Sequence, residues 1–182
     1  CRNLTGKAIC GENVVNMDFA YNNCIKLTGE PACGDKVTSM VGAYGNCVNI
    51  TGKGICGNNV TNMSWAYHNC VNLTGPILVE TNVVNLSHTY ENCYNIIHNT
   101  YVCSDKINDM SSAFKNKDNS KITNIFVPAV GYNTTHNTLN TCLCNNTSSI
   151  VGNNITWTND MTTNGRYYNT AYNIYIYYRL KN

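Results

Sequence analysis

Charge is scarce in this chain. Only 12% of its 182 residues are charged, and 12 Lys and Arg against 10 Asp and Glu leave a formal net charge of +2. A long-range field that would steer a nucleic acid is thereby excluded. Proline is scarce too, with 3 residues, and phenylalanine with 3. No apolar run approaches the ~18 residues that a membrane-spanning helix needs. The sequence has no C-x-x-C, and His68, His88, His98 and His136 show no metal-ligand spacing, which speaks against zinc. It also lacks G-x-S-x-G, a P-loop and H-E-x-x-H. The acidic residues do not recur in pairs. No catalytic constellation, cofactor site or metal site is therefore expected. The polar surface has to come from Asn, Thr, Ser and Tyr, a composition suited to hydrogen bonding in a neutral, exterior setting.

What the chain does have is a period. Cys1, Cys24, Cys47, Cys70 and Cys93 stand 23 residues apart, and the copies after Cys1 close the phrases NMDFAYNNC, SMVGAYGNC, NMSWAYHNC and NLSHTYENC. Five units follow: 1–23, 24–46, 47–69, 70–92 and a longer, degenerate 93–116. Three columns are aliphatic: Leu4/Leu27/Ile50/Leu73/Ile96, Val14/Val37/Val60/Val83/Ile107 and Met17/Met40/Met63/Leu86/Met110. Ala20/Ala43/Ala66/Ala113 form a small column. Tyr21/Tyr44/Tyr67/Tyr90/Phe114 form an aromatic one.

Met17, Ala20, Tyr21 and Cys24 fall at i, i+3, i+4 and i+7, which predicts one face of a short helix. Asn16, Asn62, Asn85 and Asp109 precede it as caps. Leu4 to Cys10 reads as a short strand, and Gly11, Gly34 and Gly57 turn the chain out of it. One such unit cannot bury its apolar face alone, so the expected fold is an α/β repeat solenoid of parallel strands and short helices. The chain opens inside a unit, so it reads as one end of a longer array.

The pattern NM-x-x-AY-x-NC-x-NLTG resembles the BspA-type leucine-rich repeat, in its period, its A-[FY]-x-x-C and its following Leu-Thr. The resemblance covers roughly 1–116. It departs from the family where Lys7, Glu30, Lys53 and Pro76 stand, and where Cys10, Cys33 and Cys56 stand. It implies a right-handed leucine-rich-repeat coil. It also implies a bacterial or protist surface adhesin or a gut-bacteriophage protein, and the Asn/Tyr-rich dialect is most similar to the phage versions. A non-enzymatic adhesion or receptor-binding module of a phage virion, such as a tail fibre, is the expectation. A bacterial or protist cell-surface adhesin and a purely architectural subunit without ligand are the alternatives. The implied partners are a host-surface protein or glycan, other virion proteins, or a second copy in a homo-oligomer.

Residues 117–182 leave the register and read as an α+β cap, which an open-ended array needs. Tyr172, Ile174, Ile176 and Tyr178 alternate with Asn173, Tyr175, Tyr177 and Arg179 as in a half-buried strand.

The 11 cysteines first suggest disulfides, but an odd count leaves one unpaired. Cys24, Cys47, Cys70 and Cys93 hold one inward position and are expected as buried thiols, packed with Met17, Met40, Met63, Tyr21, Tyr44 and Tyr67. Cys10, Cys33, Cys56 and Cys103 form a second ladder, for which bridges stay open, as does Cys10 to Cys24. Sequons such as those at Asn49 and Asn72 fall on adjacent units, too close for two glycans. The columns Asn23/Asn46/Asn69/Asn92 and Asn16/Asn62/Asn85 are expected as hydrogen-bond ladders.

Binding is expected where the repeats disagree. Those columns are Lys7/Glu30/Lys53/Pro76 and Ala8/Pro31/Gly54/Ile77 on the strand side. On the other side they are Phe19/Gly42/Trp65/His88/Ser112 and Asn22/Gly45/His68/Glu91/Lys115. Phe19 and Trp65 should be partly exposed and suit carbohydrate or protein contact. Tyr167, Tyr168, Tyr175 and Tyr177 form a second candidate patch.

Overall fold

In the computed structural model the described residues are 1–96, 100–104 and 106–115, together with the strand backbones of 124–128, 165–169 and 174–179. Neighbouring 23-residue units lie side by side. Parallel bridges run Asn16–Ser39–Asn62–Asn85–Asp109. The tyrosine rings repeat the same step, with Tyr21, Tyr44, Tyr67, Tyr90 and Phe114 stacked at 5.3, 5.4, 5.5 and 5.7 Å between centroids.

Residues 17–24 are not a helix, and none occurs among the described residues. They form successive turns. Ala20 N–H bonds Met17 O, and Cys24 N–H bonds Tyr21 O. Alternate N–H groups leave the unit altogether. Met17, Phe19, Tyr21 and Asn23 donate to Ser39, Val41, Ala43 and Gly45 carbonyls at 2.8–2.9 Å. An α-helix would need those donors for its own i−4 carbonyls. Positive φ at Phe19 (55°) and Asn23 (59°) reverses the chain twice, and so returns Met17, Ala20, Tyr21 and Cys24 to one side. The same spacing that marks a helix face is produced by two consecutive turns.

The strand side differs as well. Units 1 and 2 make single bridges, Gly6–Leu27 and Gly29–Ile50. Strands begin only with β1 (Ile77–Val79) and β2 (Thr100–Val102), which pair in parallel. The residues explain this: Pro31 offers no N–H, Gly54 weakens a strand, and Ile77-Leu78-Val79 and Thr100-Tyr101-Val102 favour one. β3 (Asn124–Pro128), β4 (Gly165–Asn169) and β5 (Ile174–Arg179) continue the sheet in the order β1-β2-β3-β5-β4, with β4 antiparallel. The sheet thus crosses the boundary expected at 116/117. The rest of the expected cap lies outside the described residues.

Where no strand forms, tyrosine takes over its role. Tyr21 OH donates to Ile9 O (2.6 Å) and accepts from Ile9 N–H (3.1 Å). Tyr44 does the same at Ala32, at 2.6 and 2.9 Å. Tyr67 OH donates to Ile55 O at 2.7 Å. Each hydroxyl crosses its unit to satisfy backbone groups that a sheet ladder would otherwise use. In unit 4 the equivalent residue, Leu78, is already in β1, and Tyr90 OH turns instead to Gly54 O at 3.2 Å. A Cβ at Gly54 would stand 2.6 Å from that ring.

The core runs along the stack. Leu27, Ile50, Leu73, Val37, Val60, Val83, Met40, Met63, Ala43, Ala66, Tyr44 and Tyr67 are fully buried. Ala8, Pro31, Gly54 and Ile77 are also buried, so that column points inward and is not a free surface, contrary to the sequence reading. Its variation follows packing: Gly54 stands where Tyr90 leans.

Asparagine divides into two uses. Asn69 Nδ2 donates to Asn46 Oδ1 (2.8 Å) and Asn92 Nδ2 to Asn69 Oδ1 (2.9 Å), a ladder from unit to unit. Asn23, Asn46, Asn69 and Asn92 all have φ near +60°, a state that asparagine tolerates. The Asn16/Asn62/Asn85 side chains act locally instead, taking the N–H of Asp18, Ser64 and Ser87. That column is a set of Asx turns, not a side-chain ladder. Among the sequons, Asn49, Asn59 and Asn72 spend their amides on Ile25, Asp35 and Val48 carbonyls of the previous unit.

Candidate functional site

All nine cysteines among the described residues are free thiols, and Cys142 and Cys144 lie outside them. Cys24, Cys47, Cys70 and Cys93 are buried. Cys47, Cys70 and Cys93 Sγ donate to Tyr21, Tyr44 and Tyr67 carbonyls at 2.9, 3.1 and 3.1 Å. Burial pushes the Cys47 thiol up to about 11 and holds Cys70 and Cys93 well above the ordinary value. Burial thus favours the protonated thiol at Cys70. Cys10 and Cys33 rest on Met17 and Met40 sulfurs at 3.5 Å. Burial pushes Cys56 up to about 12.

The variable columns on the turn side converge. Trp65 is 41% exposed and stacks on His88, with centroids 4.0 Å apart and planes 12° apart. His68 meets the same indole edge-on at 4.8 Å. Glu91 lies beneath the pair and is buried. Its Oε2 is 2.6 Å from His88 Nδ1 and 3.8 Å from His68 Nε2, and its Oε1 is 3.4 Å from Lys115 Nζ. Desolvation lowers the His68 pKa, against the pull of Glu91 and with the push of His88. A flat aromatic surface is thus held on a charged base, with donors and an acceptor at its rim.

Glu91 and Lys115 stand in the variable column of His68, and one unit step brings the three side chains together. Phe19 is 61% exposed and lies further along the same column as Trp65. Gly42 separates them. A Cβ there would meet Phe19 Cε1 at 2.6 Å, so glycine is what lets the Phe19 ring lie over unit 2.

Backbone strain marks the same column. Phe19, Trp65, His88 and Ser112 have φ of 55°, 61°, 54° and 53°, where unit 2 places Gly42 at 56°. A bulky side chain in that state costs on the order of 1–3 kcal/mol.

The other sequence candidates are placed elsewhere. Lys7, Glu30 and Lys53 are exposed on the strand side, away from Trp65. Tyr167 and Tyr168 fall in β4 and Tyr175 and Tyr177 in β5, with Tyr168 opposite Tyr175 in register. Among the described residues no group of His, Cys, Asp or Glu is arranged to hold a metal ion. No helix among the described residues is long and apolar enough to cross a membrane.

Comparison with known proteins finds no matching family model, no similar curated protein and no similar solved structure. The functional reading rests on the residues themselves.

Proposed function

We propose that the chain is a non-enzymatic binding module, a BspA-like leucine-rich-repeat solenoid that engages its ligand through the patch centred on Trp65. The observation that carries this reading is the left-handed backbone beneath Trp65 and His88. Glycine is the residue that such a position favours, and unit 2 has it. Keeping a tryptophan and a histidine there costs stability, and strain of this kind collects at functional positions. The patch suits a host-surface glycan or protein: an exposed indole face for stacking, with His68, His88 and Lys115 as polar rim. A phage virion component such as a tail-fibre tip is the context that the repeat dialect favours, and a bacterial or protist surface adhesin is the alternative.

A purely architectural role is the second reading, supported by the unbroken backbone bonding between units. Trp65→Gly separates the two. On the adhesive reading it leaves the thermal midpoint unchanged or raised, because strain is relieved as stacking is lost, while binding to host cells or glycans falls at least ~10-fold. Unchanged binding with impaired assembly would instead establish the architectural role.

A further inference from the structure

We propose that the outward strand-side face carrying Lys7, Ile9, Glu30, Lys53, Ile55 and Leu78 docks a second copy of this chain with the order of units reversed. Ala8, Pro31, Gly54 and Ile77 are buried, and the residues on either side of each are exposed or, at Ala32 and Ile55, half-buried. Two parallel rows result. The first is Lys7, Glu30, Lys53 and Pro76, all exposed. The second is Ile9, Ala32, Ile55 and Leu78, with Ile9 78% and Leu78 48% exposed. Tyr101, opposite Leu78 in β2, extends it and is 41% exposed. An apolar row of this length on an open face is an interaction surface by default.

Charge selects the occupant. Lys7, Glu30 and Lys53 alternate in sign from unit to unit, and their stems lie over Gly29, Gly52 and Gly75. The ion pairs among the described residues involve none of the three. In a two-fold dimer, where a residue of one copy meets a second residue of the other, the reciprocal contact is made as well. An axis parallel to the strands sets each row against its own copy and reverses the units. If unit 1 then faces unit 4, and unit 2 faces unit 3, Glu30 meets Lys53 twice and Lys7 meets Pro76. Ile9 packs on Leu78 and Ala32 on Ile55. No like charges meet. A shift by one unit sets Glu30 on Glu30 in one direction and Lys53 on Lys53 in the other. An axis along the stack lays the charged row on the apolar one. One register is compatible with both rows.

The facing patch is about 20 Å long at strand spacing and smaller than a standard interface, so the dimer is expected to be weak and reversible. It stands independently of the Trp65 patch, which lies across the width that Tyr67 spans and stays open in both copies.

Sedimentation velocity on the full chain from about 1 to 300 µM tests it. The expected result is a monomer–dimer equilibrium that weakens with salt. Glu30→Lys and Lys53→Glu should each weaken it about 10-fold or more, and the double exchange E30K/K53E should restore it to within about 3-fold. Leu78→Asp should abolish it. Circular dichroism reports whether each variant is folded, and the exchange controls for any that is not. A monomer at every concentration overturns the proposal. So does a dimer indifferent to Glu30→Lys, a double exchange that fails to rescue, or a monomer that uses this face for a glycan or another protein.

Discussion

At the scale of single residues, burial and backbone state set the chemistry. Cys47, Cys70 and Cys93 donate to tyrosine carbonyls and are pushed toward the thiol form by desolvation. In the native protein at about pH 8, iodoacetamide should label the exposed Cys1 readily and these three only after unfolding. Peptide mass spectrometry reads the difference; native labelling of Cys70 at the rate of Cys1 would show that the column opens. His68 gives a pH dependence of known sign. Its folded pKa lies below the unfolded value of about 6.5, so folding favours the neutral ring. Its contribution is intact above about pH 6.5 and is lost as pH falls through that value. The thermal midpoint should therefore drop more between about pH 7.5 and 5.5 in the wild type than in His68→Gln. An equal drop in both would remove His68 as the cause.

At the scale of one unit, the tyrosine hydroxyl and the left-handed asparagine replace strand and helix. Tyr67→Phe leaves Ile55 O without its bonded hydroxyl in a buried setting and should cost about 1–2 kcal/mol by chemical denaturation. Asn69 combines a ladder bond with φ of 59°. Asn69→Gly should thus be milder than Asn69→Ala by about 1 kcal/mol, since both lose the ladder bond but glycine keeps the backbone state and alanine does not; the reverse order would show that the left-handed backbone does not set the stability at this position. Part of this was legible beforehand. The aliphatic, tyrosine and cysteine columns point inward because their period is one unit, and a period is visible in a sequence. The secondary structure was not legible. Met17, Ala20, Tyr21 and Cys24 have helical spacing, and nothing in that spacing shows that the N–H groups of Met17, Phe19, Tyr21 and Asn23 bond the next unit. The asparagine and aromatic columns that carry positive φ were visible as columns, but their backbone state was not. Of the candidate site, Trp65, His68 and His88 were named from variation alone. Glu91 and Lys115 were named only as members of the His68 column; that the carboxylate is buried between two histidines and Lys115 is supplied only by the stacking.

At the scale of the whole molecule, each unit is held by its neighbours. Units 2 to 4 have a neighbour on both sides, while in unit 1 Leu4, Phe19 and Val15 remain exposed. Stability in such arrays is a sum of nearest-neighbour terms. Hydrogen exchange should accordingly be slowest at the amides of Met63, Trp65, Tyr67 and Asn69 and faster at those of unit 1. Uniform exchange along the stack would mean that the array opens as a single cooperative body.

The bonds between units also have a direction. On the turn side, N–H groups of one unit reach carbonyls of the next, as from Met17 to Ser39 and from Met40 to Asn62. Other bonds run the opposite way: Thr38 donates back to Val15 and Thr61 to Thr38 across the same bridges, and Thr28 donates back to Gly6 on the strand side. The asparagine and cysteine side chains also donate backward. The two sets of peptide dipoles therefore oppose each other along the axis. An α-helix accumulates a partial charge at each end, because all its dipoles align. Here part of the axial moment subtracts, so lengthening the array adds less charge to its tips than aligned helix dipoles would.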